Sequence, residues 1–100
     1  MVEIQTTDIF ARWLHKLDDN QARYRIQARI DRLSGGNAGD VKPVGKGVSE
    51  MRIDHGPGYR VYFVQRGRAL VILLAGGTKK TQARDIVAAI DIAANLEIAT

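Results

Sequence analysis

Four basic residues have the types and spacing to bind one phosphate group jointly. In a predicted hairpin over residues 50–63, Arg52 and Arg60 lie directly opposite each other on the outer face. Like charges in such a pair are destabilising, so an external anion is expected to neutralise them. Lys79 and Lys80 precede a predicted helix, whose free N–H groups and dipole favour anions. The alternative is an ordinary solvated sheet face and loop.

Two further side chains near this set could take part in chemistry. His55 lies in the turn of the hairpin and could be a general base near neutral pH, although an exposed polar residue is common in such turns. Tyr62 falls on the face of Arg52 and Arg60, where it could bind a phosphate or stack on a base, although a tyrosine in an edge strand explains it as well. The two histidines of the chain have no acidic partner at ligand spacing, so no metal or cofactor is expected.

Length and composition indicate one globular domain over residues 1–100. The chain is 45% hydrophobic and 26% charged, which excludes a disordered or fibrous protein. It has no cysteine, which excludes disulfides, thiolate zinc sites and cysteine nucleophiles and favours the cytoplasm. The apolar runs are too short to span a membrane. The net charge of +4 is compatible with a polyanionic partner.

The first third of the chain is predicted to form one short strand and two helices. Residues 2–5 alternate between apolar and polar side chains, as in a strand. An amphipathic helix capped by Thr6 or Thr7 follows and ends near Asp18. A second helix, capped by Asp18 or Asp19, ends at a Ser-Gly-Gly-Asn sequence, so the two helices form a hairpin.

An antiparallel hairpin is predicted where the hydrophobic period changes to two. Its strands cover residues 50–54 and 59–63, and their apolar faces determine the register. A three-residue loop, 55–57, turns all the apolar residues to the same side. Gly58 is then expected in the left-handed conformation.

The remaining chain is predicted to add one strand and one helix. Leu70–Leu74 is a continuously apolar central strand that Gly76 and Gly77 terminate. The last helix covers about residues 82–96, with Thr78 or Thr81 as its cap. The order β-α-α-β-β-β-α belongs to the α+β class, with an antiparallel sheet, an N-terminal helical hairpin and a C-terminal helix.

Two segments resemble the RelE/HigB-type toxins. They are Gly-Tyr-Arg-Val-Tyr-Phe from Gly58 and Gly-Gly-Thr-Lys-Lys-Thr-Gln from Gly76. Within the RelE/ParE superfamily, the chain is most similar to the phage-related addiction module killer proteins, over nearly its whole length. The resemblance implies a RelE-like fold and the toxin of a type II toxin–antitoxin pair, a ribonuclease that cleaves mRNA in the ribosome without metal. In such enzymes the 2′-OH attacks the adjacent phosphate and basic side chains stabilise the developing charge.

The resemblance also implies roles for the basic residues found above. Arg60 matches the family arginine after Gly-Tyr, and Arg52 matches a basic position one strand earlier. Lys79 or Lys80 matches a basic position just before the last helix. The catalytic and RNA-binding positions implied by the family therefore coincide with the anion-binding set.

The general base departs from the family pattern. Many relatives have a tyrosine in the last helix, whereas this chain has no tyrosine after Tyr62. Glu50 lies where some relatives have a lysine base. The candidates for this role are His55, Lys79 and Lys80.

Three functions fit the sequence, in decreasing order of preference. The first is a ribosome-dependent mRNA endonuclease that inhibits translation. The second is a ParE-like inhibitor of DNA gyrase, which would use the fold as a binding module without catalytic residues. The third is a basic nucleic-acid-binding domain without toxicity, whose binding would depend strongly on salt.

The resemblance implies a cognate antitoxin, the ribosome and mRNA as partners, and no association with a membrane. It also implies a higher-order complex with the antitoxin on operator DNA. The antitoxin is expected to cover either the Arg52 and Arg60 side or a second basic stripe. This stripe lies on the second helix, which has four arginines and the single acid Asp31, although a solvated face would also explain it. The four arginines are Arg23, Arg25, Arg29 and Arg32.

Overall fold

A five-stranded sheet with helices on both faces forms the centre of the protein. The computed structural model describes the backbone of residues 1–99 and the side chains of residues 1–96. The elements in chain order are β1 (Glu3–Thr6), α1 (Asp8–His15), α2 (Asn20–Ser34), β2 (Val41–Gly45), β3 (Val48–Ile53), β4 (Tyr59–Arg66), β5 (Leu70–Thr78), a 3₁₀ turn (Lys79–Thr81) and α3 (Gln82–Ala99). The predicted α+β class is confirmed.

The sheet contains one strand more than the sequence predicts. Its order is β1-β5-β4-β3-β2, with β1 parallel to β5 and every other pair antiparallel. The extra strand, β2, contains Pro43, which is tolerated because β2 lies at the edge of the sheet. Lys46 and Gly47, both with positive φ, connect it to β3 as in a two-residue hairpin turn. Because β1 is parallel to β5, the sheet is mixed rather than purely antiparallel.

The register of the central hairpin is as predicted. Arg52 pairs with Arg60 and Ile53 with Tyr59. Gly58 has a φ of +80°, the left-handed conformation that the three-residue loop requires. The alternation of side chains therefore assigns the two faces of β3 and β4 correctly.

The two helices of the N-terminal hairpin have the predicted types of cap. The hydroxyl oxygen of Thr7 accepts a hydrogen bond from the backbone N–H of Phe10, 3.0 Å away, at the start of α1. The carboxylate of Asp19 accepts hydrogen bonds from Gln21 and Ala22 at the start of α2. Side-chain oxygens here satisfy backbone donors that have no partner within the helix.

Both faces of the sheet are buried, which the sequence analysis did not anticipate. Helices α1 and α2 cover one face, where Phe10 and Ile26 pack against Met51. Helix α3 covers the opposite face, where Ala89 packs with Tyr62. The face that carries Arg60 is therefore not an open solvated surface. Across residues 1–99, the structure contains no helix long and apolar enough to cross a membrane.

The sequence predicts that Gly76 and Gly77 terminate the last strand, and this prediction is wrong. Both lie within β5, which continues to Thr78. A Cβ atom at Gly76 would lie 2.2 Å from the ring of Trp13, and one at Gly77 would lie 1.9 Å from the carboxylate of Asp85. Glycine is required here because α1 and α3 each place a side chain directly against the strand.

We predict that Gly76→Ala destabilises the protein by about 3 kcal/mol, since the new methyl group must displace the partly buried Trp13 ring. Chemical denaturation would measure the loss. Gly35→Ala is the matched control, because a Cβ there meets only ordinary contacts, the nearest at 3.5 Å. Equal losses in the two variants would contradict the steric explanation.

Candidate anion-binding groove

An open groove lies at the turn end of the β3–β4 hairpin and has a volume of about 470 Å³. We call it the hairpin groove. Three of the four predicted anion-binding residues line it, whereas Lys80 is exposed outside its lining. The lining residues are Asp40, Arg52, Ile53, Asp54, Gly56, Pro57, Gly58, Arg60 and Lys79.

Backbone hydrogen bonds bring Lys79 to the hairpin. Its N–H donates to the carbonyl of Gly58 over 2.8 Å, so the end of β5 is joined to the hairpin turn. Gly77, two residues earlier, pairs with Arg60 across the sheet. The side chain of Lys79 forms no hydrogen bond or ion pair with any described residue. Its ammonium group is therefore available to a ligand.

Arg52 has a neighbouring carboxylate, which corrects the expectation that an external anion must neutralise it. Its Nη2 and Nε lie 2.8 and 3.2 Å from Oδ1 of Asp40. This hydrogen bond raises the pKa of Arg52 above its usual value. The two side chains are 42% and 57% exposed, and an ion pair so exposed adds little to stability. A phosphate could therefore replace Asp40 at Arg52.

Arg60 is also paired, and its surroundings are buried. Its Nε lies 3.7 Å from Oε1 of Glu50, and the two side chains are only 11% and 0% exposed. Its Nη1 lies 3.4 Å from the carbonyl oxygens of Gly58 and Tyr59. The expectation that Arg60 points freely into solvent is wrong, because α3 covers this face. The guanidinium is instead held in one orientation at the edge of the hairpin groove.

Glu50 connects Arg60 to the first residue of α3. Its Oε2 accepts hydrogen bonds from Tyr62 over 3.1 Å and from the amide of Gln82 over 2.8 Å. Glu50 is not among the site residues predicted from the sequence. The predicted register places it diagonally across from Arg60 on the same sheet face, and this acid–base diagonal is the signal that could have identified it.

The prediction that Tyr62 faces outward is wrong. Its side chain is fully buried under α3 beside Glu50. Burial raises the pKa of its hydroxyl, and the carboxylate of Glu50 raises it further, so the phenol remains protonated. In this conformation Tyr62 supports the groove from below and cannot stack on a base.

His55 lies near the hairpin groove but does not line it. Its Nε2 lies 3.0 Å from Oδ2 of Asp19, the cap of α2, and its ring stacks on Tyr59. The hydrogen bond from His55 is the largest cause that lowers the pKa of Asp19, followed by the backbone N–H of Ala22. His55 therefore joins the hairpin turn to α2, a position that does not favour it as the general base.

The carboxylates in the hairpin groove are a feature that sequence analysis missed. Asp54 follows β3 directly and forms no hydrogen bond or ion pair with the described residues. Asp40 is occupied by Arg52. Because a free carboxylate can accept a proton and the ammonium of Lys79 cannot, Asp54 is the proton acceptor available within the groove.

The four arginines of α2 do not form one exposed stripe. Arg23 donates to the carbonyl of Leu17 over 3.1 Å, and Arg29 donates to the carbonyl of Ala38 over 3.0 Å. These two side chains hold loops in place. Arg25 and Arg32 are exposed and have no partner among the described residues. Two of the four predicted antitoxin contacts therefore remain available to a partner.

Comparison with known proteins places this arrangement in a family. The family model described as "Phage derived protein Gp49-like (DUF891)" matches residues 12–96. The chain is also 52% identical to a protein of Haemophilus influenzae described as uncharacterized, over 85 residues that make up 85% of this chain and 86% of the relative. The residues matched by the family model include the whole hairpin groove and Glu50.

We predict that Glu50→Gln lowers the free energy of unfolding by about 3 kcal/mol, because the buried Arg60 loses its counter-ion. Asp40→Asn removes a carboxylate from the exposed pair in the same groove and is expected to leave stability nearly unchanged. Urea denaturation of both variants near pH 7 would measure the difference. A loss that is no larger for Glu50→Gln than for Asp40→Asn would contradict the assignment of a buried pair.

We predict that Asp19→Asn destabilises the protein near pH 6 but not under acid conditions. Asparagine still caps α2, so the variant removes only the charge that faces His55. A carboxyl with a lowered pKa stabilises the fold above its ordinary value of 3.8, and this contribution disappears as the pH falls through the lowered folded value.

Thermal unfolding of parent and variant across this pH range would measure the effect. Asp18→Asn is the control, because Asp18 is exposed and has no partner among the described residues. A difference between parent and Asp19→Asn that persists well below pH 3.8 would show that the charge is not its cause.

Proposed function

Because this chain belongs to the Gp49-like family of phage-derived proteins, we propose that it is the toxin of a type II toxin–antitoxin pair and cleaves mRNA on the ribosome. The family belongs to the RelE/ParE-like toxin superfamily. Within that superfamily, the motifs at Gly58 and Gly76 support the HigB-type branch of addiction module killer proteins.

The observation that carries this proposal is the convergence of Arg52, Arg60 and Lys79 on the hairpin groove. When a 2′-OH attacks the adjacent phosphate, negative charge develops on the phosphate oxygens. Arg60, which Glu50 already orients in the partly buried groove, can stabilise this charge with little reorganisation. The groove therefore suits phosphodiester cleavage better than a surface of mobile lysines would.

Each cation has its own proposed part in the reaction. Arg60, held by Glu50, presents its terminal nitrogens to the phosphate in a fixed orientation. Arg52 exchanges Asp40 for the phosphate, and Lys79 adds an unpaired charge. Asp54 is proposed to accept the proton of the 2′-OH, and the ammonium of Lys79 to donate a proton to the leaving 5′-oxygen.

The proposed partners follow from the charge of the hairpin groove. An antitoxin is expected to cover the groove with an acidic segment, because carboxylates there would pair with Arg52 and Lys79 and exclude the RNA phosphate. The ribosome and mRNA are the proposed targets, and a complex with antitoxin on operator DNA is proposed for the inactive state.

Pulse labelling of protein, RNA and DNA synthesis after induction in bacteria tests this function. We expect protein synthesis to stop first and new 5′ ends to appear within translated transcripts. The gyrase-inhibiting alternative predicts that DNA synthesis stops first while transcripts remain intact. The non-toxic alternative predicts continued growth.

We predict that Lys79→Ala lowers the rate of transcript cleavage about 100-fold, which is the usual effect of removing one group that stabilises a transition-state charge. The fold should be retained, since Lys79 is exposed and its side chain has no partner among the described residues. Lys80→Ala is the matched control and is expected to have a much smaller effect, because Lys80 does not line the hairpin groove. Similar losses in both variants would remove the special role of Lys79.

A further inference from the structure

A second groove, with a volume of about 650 Å³, runs along the exposed side of α2. We call it the α2 groove. All but one of its lining residues belong to α2, and the exception is at the end of β3. The lining residues are Asn20, Gln21, Tyr24, Arg25, Ala28, Arg29, Arg32 and Ile53.

The α2 groove is strongly basic. Its lining contains three arginines and no acidic residue. No carboxylate oxygen of residues 1–96 lies within 4.0 Å of the side-chain nitrogens of Arg25, Arg29 or Arg32. Burial lowers the pKa of Arg29, and the charge of Arg32 lowers it further. Such a surface attracts a polyanion.

The side chains between the arginines fit nucleic acid better than protein. Tyr24 is 78% exposed and has no hydrogen-bond partner among the described residues, so either face of its ring can stack on a base. Asn20 and Gln21 add amide groups of the kind that bind base edges. A protein partner usually inserts an apolar side chain into a central pocket. The apolar residues that line this groove provide no such pocket, because Ile53 is only 3% exposed and Ala28 carries a single methyl group.

The α2 groove adjoins the hairpin groove. Ile53 lines both. The guanidinium of Arg29 donates to the carbonyl of Arg52, whose own side chain lines the hairpin groove. Of the two carboxylates that line the hairpin groove, Asp40 is paired with Arg52 and Asp54 is unpaired. A polyanion that passes from one groove to the other meets Arg29 and Arg52 at the junction, with Asp54 as the one unpaired carboxylate among the lining residues.

We propose that the α2 groove binds single-stranded RNA as the continuation of the strand whose phosphate occupies the hairpin groove, with Tyr24 stacking on a base and Arg25 and Arg32 contacting phosphates. The proposal rests on the ribonuclease function proposed above. From Asn20 to Arg32, α2 is about 18 Å long. This length accommodates roughly five stacked nucleotides.

Binding of fluorescent single-stranded RNA of four and twelve nucleotides tests the proposal. The parent protein should bind the longer RNA more tightly than the shorter one. Tyr24→Ala should weaken binding of the longer RNA by about fivefold or more, since stacking on one aromatic ring contributes at least this much. Tyr24→Phe retains the ring and should bind as the parent does.

The double variant Arg25→Ala/Arg32→Ala tests the phosphate contacts. It should lower the salt dependence of binding of the longer RNA by about 1.4 in log–log slope, from two contacts of roughly 0.7 each. Arg68→Ala/Arg84→Ala loses the same charge at two exposed arginines outside the α2 groove and should keep the parental slope.

Three results would overturn the proposal. The first is parental affinity for the longer RNA in the Tyr24→Ala and Arg25→Ala/Arg32→Ala variants. The second is an equal loss in the Arg68→Ala/Arg84→Ala control, which would indicate attraction by overall charge. The third is that the Tyr24→Ala and Arg25→Ala/Arg32→Ala variants no longer capture the antitoxin but bind RNA as the parent does, which would assign the surface to a protein partner. Translation arrest is scored separately, so a protein that binds RNA through both grooves without arresting translation would contradict only the proposed ribonuclease.

Discussion

One buried carboxylate connects the groove, the sheet and the last helix. Glu50 is fully buried, yet it faces Arg60 and accepts hydrogen bonds from Tyr62 and Gln82. A carboxylate in this position is tolerated only while its partners surround it, because an unpaired buried charge costs several kcal/mol. The orientation of Arg60 and the seating of α3 on the sheet therefore depend on each other. Arg60 thus belongs both to the core and to the surface of the groove.

Local signals in the sequence predicted most of the framework. The caps at Thr7 and Asp19 and the left-handed Gly58 depend on hydrogen bonds or dihedral angles within a few residues, so residue type and spacing reveal them. Gly76 and Gly77 show where such reasoning stops. Their local signal is the end of a strand, whereas their actual requirement comes from Trp13 and Asp85, which are distant in sequence. Likewise, β2 was missed because its proline is unfavourable in every strand except one at an edge.

The candidate site was predictable in its cations but not in their counter-ions. The hairpin register and the loop before α3 were sufficient to bring Arg52, Arg60 and Lys79 together. Alternating polar residues in β3 and β4 resemble a solvated face, and nothing local indicates that α3 covers it. The roles of Glu50 and Asp40 follow from that coverage and from the loop before β2. Because Asp40 and Glu50 pair with the two arginines, the groove is less positive than its three cations alone would make it. The same pairs orient the two arginines.

The parallel pairing of β1 with β5 affects how the chain reaches this structure. Glu3 pairs with Leu70, so β1 cannot pair with β5 until the chain has been synthesised beyond residue 70. Chains are made from the N-terminus, and pairings between residues so far apart carry a large loop-closure entropy, which slows folding. Lys79 and Gln82 follow later still. The groove is therefore completed only after residue 79 has been made, and until β5 pairs with β4 that side of the growing sheet lacks its partner strand.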